Sequence, residues 1–419
     1  MSETLGENPK IPTTIAQLSF GDVPQSEEML NALTVGVQFV TDFWRDRYFR
    51  EFLREGGSKI KFLTGQRGSG KTHTLNLVSS LAKREGYVTV SFSAKDVWLN
   101  DFREIYLEIL SQIDFLGLLE RCSHKIVEKM GFEAQDIPEG MTFIDLLGQN
   151  DMADALNRRE IRFQLKQMFL DNPHLDNNFA LACSLICGGM LGHPSLEEQN
   201  KALLLAWMNG DKKVRVTTLR PLGLAPSKIT KFNARNMLRS LSEVVTLSGY
   251  SGLLVTIDNL EVLVDRSGLN PMNYTKMKRE DTYESIRQLI DDIDNFRNIM
   301  FIFGFGRELL DNENAGLKSY QALWMRIQNE IVGSRINKFT DMVDLDQVAD
   351  QEYSPALLVE MSRRLSEVVS HVNVTATVLD EEKAIQLIRQ AKLGGVSLPR
   401  LVGQATLGFH EERDEGGEV

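Results

Sequence analysis

Cysteine is scarce in this sequence, and so is any long apolar run. Its 419 residues include three cysteines, Cys122, Cys183 and Cys187. There is no CxxC pair and no histidine at ligand spacing, so neither a disulfide framework nor a zinc site is indicated. Cys183 and Cys187 sit one helical turn apart in an apolar stretch and read as core residues. That stretch, FALACSLICGGMLG from Phe179, falls short of the roughly 20 residues a membrane helix needs. It reads as a buried helix. The polar opening MSETLGENPK lacks the apolar core of a secretory signal. An excess of positive charge is also missing: 47 Lys and Arg stand against 58 Asp and Glu, for a formal net charge of −11. The chain as a whole is no polyanion binder, and any nucleic-acid contact must use a local basic patch or an assembled pore. A reducing, cytoplasmic protein without a membrane segment is expected.

What is present is ordinary for a soluble protein, 42% hydrophobic and 25% charged, and long enough for two or three structural parts. Apolar, β-branched runs predict buried parallel strands at 59–64 (KIKFLT), 87–93 (YVTVSFS), 252–258 (GLLVTID) and 299–305 (IMFIFGF), with a weaker fifth at 341–346. KTHTLNLVSSLAKREG, between the first two, has helical leucine spacing and a closing glycine. Strand, helix and strand in so short a span predict an α/β crossover. From about 101 to 213 the pattern is helical throughout, an insertion that splits the sheet. The helix in KFNARNMLRSLSEVVTLSGYSG then feeds the third strand. Three helical segments follow residue 350. The expected organisation is an N-terminal arm and helix (1–58), a core carrying the insertion (59–346), and a helical lid with a disordered C-terminal tail (347–419). No internal repeat is seen.

GQRGSGKT, Gly65 to Thr72, fits G-x-x-x-x-G-K-[ST] at every fixed position. The pattern would arise by chance in roughly one or two chains per hundred of this length. A strand before it and a helix after it make accident less tenable still. Glycines let backbone amides curl around phosphates, and the helix that follows adds the positive end of its dipole. The candidate nucleotide-binding residues are Gly65, Gln66, Arg67, Gly68, Ser69, Gly70, Lys71 and Thr72. His73 joins them, though its plain reading is a polar residue of the first helical turn. Lys71 is placed to meet the β- and γ-phosphates and the Thr72 hydroxyl to ligate Mg²⁺.

The third strand ends in Asp258, where phosphate-loop ATPases hold an acid near Mg²⁺; the plain alternative is a turn cap. The next position is Asn259, where a glutamate is usual. An amide cannot take a proton but can orient water. Glu261, three residues beyond Asp258, shares its face if a helical turn begins there, and can approach the γ-phosphate. The fourth strand runs into GFGRELL, offering glycines and Arg307 where a polar contact to phosphate or water is expected. ATP with Mg²⁺ is the expected ligand, and hydrolysis is the open question.

FLTGQRGSGKTHTLNLVSSLAKREGYVTVSFSAKDVWLNDFREIYLEIL and LRPLGLAPSKITKFNARNMLRSLSEVVTLSGYSGLLVTIDNLEVL resemble two halves of the ATP-binding proteins of BREX-type bacterial phage-defence systems, the BrxC/BrxD-like group. The similarity runs from about residue 15 to 405, and its length favours the shorter, BrxD-like members. DVWLNDFREIY and SGYSGLLVTID carry the specificity that the phosphate loop alone lacks. The resemblance implies an AAA+ fold akin to origin-recognition ATPases, an α/β P-loop NTPase with a parallel sheet, a helical insertion and a C-terminal helical lid. It also implies defence against foreign DNA beside a helicase or methyltransferase partner, and a homo-oligomer. An arginine past the fourth strand would then reach a neighbour's nucleotide, with Arg326 and Arg335 as candidates. Arg400, in SLPRLVG, would sense the γ-phosphate in cis. Each of these arginines also has a plain reading as a surface or ion-pairing residue.

Two further stretches raise nucleic acid. NPMNYTKMKRED (270–281) reads as a polar loop in which Lys276, Lys278 and Arg279 are candidate DNA contacts. DKKVR (211–215) reads as a turn. FWRDRYFREFLRE (43–55) mixes aromatics with arginine, as single-strand binders do, but its spacing equally suits a helix packed beside the first strand. The leading expectation is a slow, partner-stimulated ATPase of a defence system, with Lys71, Asp258, Asn259, Glu261 and Arg326 in catalytic roles. The rival is a non-hydrolysing, nucleotide-gated scaffold. A small-molecule kinase shares the loop but not the insertion or the lid.

Overall fold

The computed structural model describes residues 27–328, 337–370, 376–394 and 396–408. At its centre is a five-stranded sheet of β1 (Ser58–Gly65), β2 (Tyr87–Ser93), β3 (Gly252–Asp258), β4 (Ile299–Gly306) and β5 (Met342–Asp344). The spatial order is β2-β3-β4-β1-β5, and every pairing is parallel. All five expected strands form, four of them within a residue or so of the expected ends. β4 and β1 lie inside the sheet and are buried almost along their whole length. That is why β4 reads as a continuous apolar run rather than an alternating one.

Side chains nevertheless alternate between two cores. Ile60, Phe62, Phe301, Phe303 and Phe305 face the larger one, which continues into the helical insertion. Leu63, Leu254, Met300 and Ile302 face the smaller one with Trp44, Phe49, Leu75 and Val78. A fully buried phenylalanine of this kind contributes about 2–3 kcal/mol. FWRDRYFREF belongs to that second layer: Trp44–Phe52 is a π-helical turn continuing from the helix Gln38–Phe43, with Trp44, Tyr48 and Phe49 buried. The packing reading of this stretch is therefore the one the fold supports.

Lys61 breaks the apolar pattern. It lies fully buried in β1, its ammonium donating to Phe339 O at 3.0 Å and Thr340 O at 2.6 Å and pairing with Asp341 at 3.2 Å. Burial pushes its pKa down to about 8. The contacts pin the chain entering β5, a short edge strand that would otherwise hold to β1 through few residues.

Between β2 and β3 the described chain is helical or irregular, with no strand. Its core includes the helix Asn177–Leu191, in which Cys183 and Cys187 are buried, as is Cys122 on the helix Phe115–Lys129. No described helix is long and apolar enough to cross a membrane. At the far end of the chain, Pro355–Ser370, Glu381–Lys392 and Leu398–Leu407 are helices that share a small apolar core of their own around Leu358, Leu379 and Val402. The C-terminal tail expected to be disordered lies outside the described residues.

Candidate nucleotide site

The sheet order places β4 between β1 and β3, so the ends of all three strands meet beneath one loop, residues 66–70. In that loop Gly68 and Gly70 take φ of +84° and +92°, which would strain any residue with a Cβ. The loop delivers the chain into the helix Lys71–Arg84, whose N-cap, Gly70, supplies no side-chain hydrogen bond. Its leading amides remain available to an anion. Lys71 Nζ donates to Gly65 O and Gln66 O, both at 2.9 Å, which holds the ammonium against the loop. Beneath them Thr72 Oγ1 donates to Asp258 Oδ2 at 2.6 Å. A hydroxyl beside a carboxylate is a hard-oxygen pair of the kind Mg²⁺ takes when phosphates and water complete its shell. Among the described residues no group of three or more His, Cys, Asp or Glu side chains gathers as a metal cluster.

Asn259 has a conformational reason to be asparagine. It sits at φ +62°, in the left-handed region, which asparagine tolerates better than most residues. Its amide N–H donates to Asp258 Oδ1 at 2.7 Å and its side-chain amide to Ser93 Oγ at 3.1 Å. The side chain is thereby directed to the end of β2. The turn it starts, Leu260–Val264, is 3-10 helical and carries Glu261. Glu261 Oε2 accepts from Gly306 N at 2.9 Å, at the end of β4. Burial, with Asp258 nearby, pushes its pKa above the ordinary carboxylate value, against the opposing pull of the Gly306 amide and Lys71.

The glycines at the end of β4 make room for these acids. A Cβ added at Gly304 would lie 2.7 Å from Asp258 Oδ1. Arg307, the next side chain, turns to the other edge, where it pairs with Asp344 and donates to Asp346 Oδ2 at 3.0 Å. Asp346 Oδ2 also accepts from Gln66 N at 2.9 Å. Arg307 is thus joined to the phosphate loop through an acid that strand-level reasoning passed over, although DMVDLD carried it in view.

Beside the loop opens a largely apolar pocket of about 170 Å³. Four parts of the chain line it: Val35 and Val37 from the N-terminal stretch, Gly70 and His73, Val348 and Tyr353, and Met361 and Val402 from the C-terminal helices. His73 Nε2 lies 2.8 Å from Thr34 Oγ1. The hydroxyl proton of Thr34 is committed to Leu30 O at 2.6 Å, so Nε2 must be the donor and carry the ring proton. Burial lowers the His73 pKa to about 4.

A depressed histidine pKa stabilises the fold above the unfolded value near 6.5 and loses that contribution as pH falls toward 4. His73→Gln is therefore expected to flatten the acid side of the stability curve. Between pH 7 and pH 5 the parent should lose about 2 kcal/mol more than the variant in urea unfolding. Parallel curves for the two proteins would refute the half-buried, neutral assignment.

Arg400 reaches the loop from the last helix. A Cβ on Gly68 would lie 2.8 Å from Arg400 Cβ and 2.9 Å from Ser397 Oγ, so the stem of Arg400 rests on the loop glycine. Ser69 and Ser397 have buried hydroxyls without a hydrogen-bond partner among the described residues. Arg67 is exposed at the crest of the loop. The fold therefore gathers Lys71, Thr72, Asp258, Glu261, His73 and Arg400 around one loop, with Asn259 at its margin. Arg326 is not in that group. It is exposed on the helix Gln321–Ile327 and holds Asp291 with both carboxylate oxygens engaged, the longer contact at 3.1 Å. Arg335 lies outside the described residues. The stretch 270–281 is a loop only as far as Thr275, whose side chain caps the helix Lys276–Asp291, so Lys276, Lys278 and Arg279 are helical.

The family model for the BREX system ATP-binding protein BrxC/D matches residues 9–398, most of the chain. The chain finds no match among curated proteins or solved structures. On the extent of the family match, it belongs to the BREX ATP-binding family.

Proposed function

We propose that this member of the BREX ATP-binding family binds Mg-ATP at the loop Gly65–Thr72 and hydrolyses it slowly, with stimulation by a partner. The observation that carries the reading is the Thr72–Asp258 contact beneath the Lys71 ammonium, with Glu261 held by the Gly306 amide at the end of the neighbouring strand. Backbone amides of the loop and helix would take the phosphates, Lys71 would bridge the β- and γ-groups, and Thr72 with Asp258 would hold the ion. When bound, Mg²⁺ would neutralise phosphate charge. Glu261, rather than Asn259, would accept a proton from water, since Asn259 is spent on Ser93. The apolar pocket beside His73 suits an adenine ring. Arg400, resting on Gly68, would feel the terminal phosphate in cis.

An AAA+-like core with the last three helices as a lid accords with a pocket shared between the loop and those helices. On this reading the protein is cytoplasmic and works as a homo-oligomer beside a defence-system helicase or methyltransferase, on DNA directly or through that partner. Exposed Arg326 would be available to a neighbouring subunit's nucleotide once released from Asp291. The rival reading, a nucleotide-gated scaffold without hydrolysis, draws on the absence of an acid directly after Asp258.

Calorimetric titration of Mg-ATP into the full chain is expected to show saturable, magnesium-dependent uptake with one site per chain. No uptake of either ATP or GTP by folded protein would overturn the proposal. Sizing with ATP, ADP and a non-hydrolysable analogue then separates the readings. An analogue that sustains the same assembly and function as ATP favours the scaffold.

A further inference from the structure

The helical insertion rejoins the sheet domain through residues 210–233, a stretch with six basic residues and one acid in a chain of net charge −11. Lys212, Lys213, Arg215, Arg220, Lys228 and Lys231 are all exposed. Among the described residues no carboxylate pairs with any of them. The single acid, Asp211, is occupied in a turn, its carboxylate accepting from Lys213 N at 2.8 Å. Cations left unneutralised and held near one another carry a repulsive cost that an anionic partner would relieve.

The fold folds this stretch back on itself. Lys228 Nζ donates to Lys212 O at 3.3 Å, and Trp207 Nε1 donates to Ser227 O at 3.0 Å. The two basic ends are thereby brought to one surface. Phe232 stands in it, 85% exposed, with the Lys231 ammonium 5.4 Å from its ring centroid. Its position is not loose. Asn233 accepts from Thr230 N at 2.7 Å and donates to Ser227 Oγ at 2.9 Å and Lys228 O at 3.1 Å. A fixed turn therefore presents an aromatic ring to solvent, forgoing about 2 kcal/mol of possible burial. In 270–281 two of the three cations are committed elsewhere: Lys278 lies over the Trp98 ring at 3.5 Å and Lys276 pairs with Glu280 at 3.8 Å.

We propose that this surface binds single-stranded nucleic acid, its phosphates on the lysines around Lys212 and Lys228 and one unstacked base on Phe232. Cations alone would suit any polyanion; an exposed ring fixed among them suits a chain that offers a base face with its phosphates. The surface shares no residue with the nucleotide site, so the inference, which gives the direct nucleic-acid contact a place and a strand state, stands or falls separately from ATP binding.

The test is fluorescence anisotropy of labelled oligo(dT), oligo(U) and a duplex with the full-length protein, without nucleotide, across a salt series. Oligo(dT) or oligo(U) should bind, and comparing them separates DNA from RNA. Lys212→Glu with Lys228→Glu should lower that affinity at least about 10-fold and reduce the salt slope. Phe232→Ala should weaken single strands about 5- to 10-fold and leave the duplex unchanged. The far-ultraviolet circular dichroism and thermal midpoint of both variants should match the parent's, confirming that they are folded. The inference is overturned if single strands do not bind at low salt, or if both variants bind as the parent does. It is equally overturned if polyglutamate displaces the oligonucleotide as well as unlabelled oligonucleotide does and Phe232→Ala has no effect, which would assign the surface to an acidic protein.

Discussion

Lys71→Ala is expected to remove ATP turnover, by at least about 100-fold, and to weaken Mg-ATP binding by about 10- to 100-fold. The size follows from what the ammonium would do. A charge-assisted hydrogen bond to phosphate is worth about 1.5–3 kcal/mol in binding, and the same charge matters more as it accumulates on the transferring group. The fold should tolerate the change. Lys71 is partly exposed and its partners, Gly65 O and Gln66 O, lie on the loop itself, where water can replace it. A thermal midpoint within a few degrees of the parent, together with lost turnover, is the expected pair of results. Turnover equal to the parent's would remove the loop from the chemistry and leave the family match without a working site.

Most of what frames this site was legible in the residues. Strands inside the sheet declared themselves because burial on both faces leaves few polar positions, and the loop declared itself because phosphate cradling tolerates few alternatives. What stayed hidden was relational. Nothing local marks Lys61 as a buried lysine, since its partners at 339–341 come from the far side of the chain. Arg307 could be singled out as the polar residue after β4, but its engagement by Asp344 and Asp346 depends on β5 lying next to β1. Asn259 looked like a lost glutamate. Its left-handed backbone and its bond to Ser93 give that residue a conformational reason that no spacing rule carries. The basic residues of 270–281 read as a loop because nothing in their spacing marks Thr275 as the cap that starts a helix.

Glu261→Gln is expected to separate binding from hydrolysis. The substitution keeps the side chain's length and lets its carbonyl oxygen still accept from Gly306 N, so the turn and the ATP affinity should change by no more than a few-fold. It removes the basic oxygen. General-base catalysis contributes about 10²- to 10⁴-fold, and turnover in the variant should fall by at least about 100-fold. A pH profile sharpens the test. Burial, with Asp258 nearby, raises the Glu261 pKa above the usual carboxylate value of 4.5. The group acts as a base only when deprotonated, so the parent's rate should climb with pH through a midpoint above 4.5 and then level. The residual rate of the variant should lack that climb. Asn259→Ala, by contrast, should cost about 1 kcal/mol of stability by placing alanine at a positive φ and leave the pH midpoint where it was. If Glu261→Gln turned over ATP as fast as the parent, no carboxylate here would be activating water. The arrangement around Asp258 would then serve to hold a nucleotide and signal its presence, which is the scaffold reading.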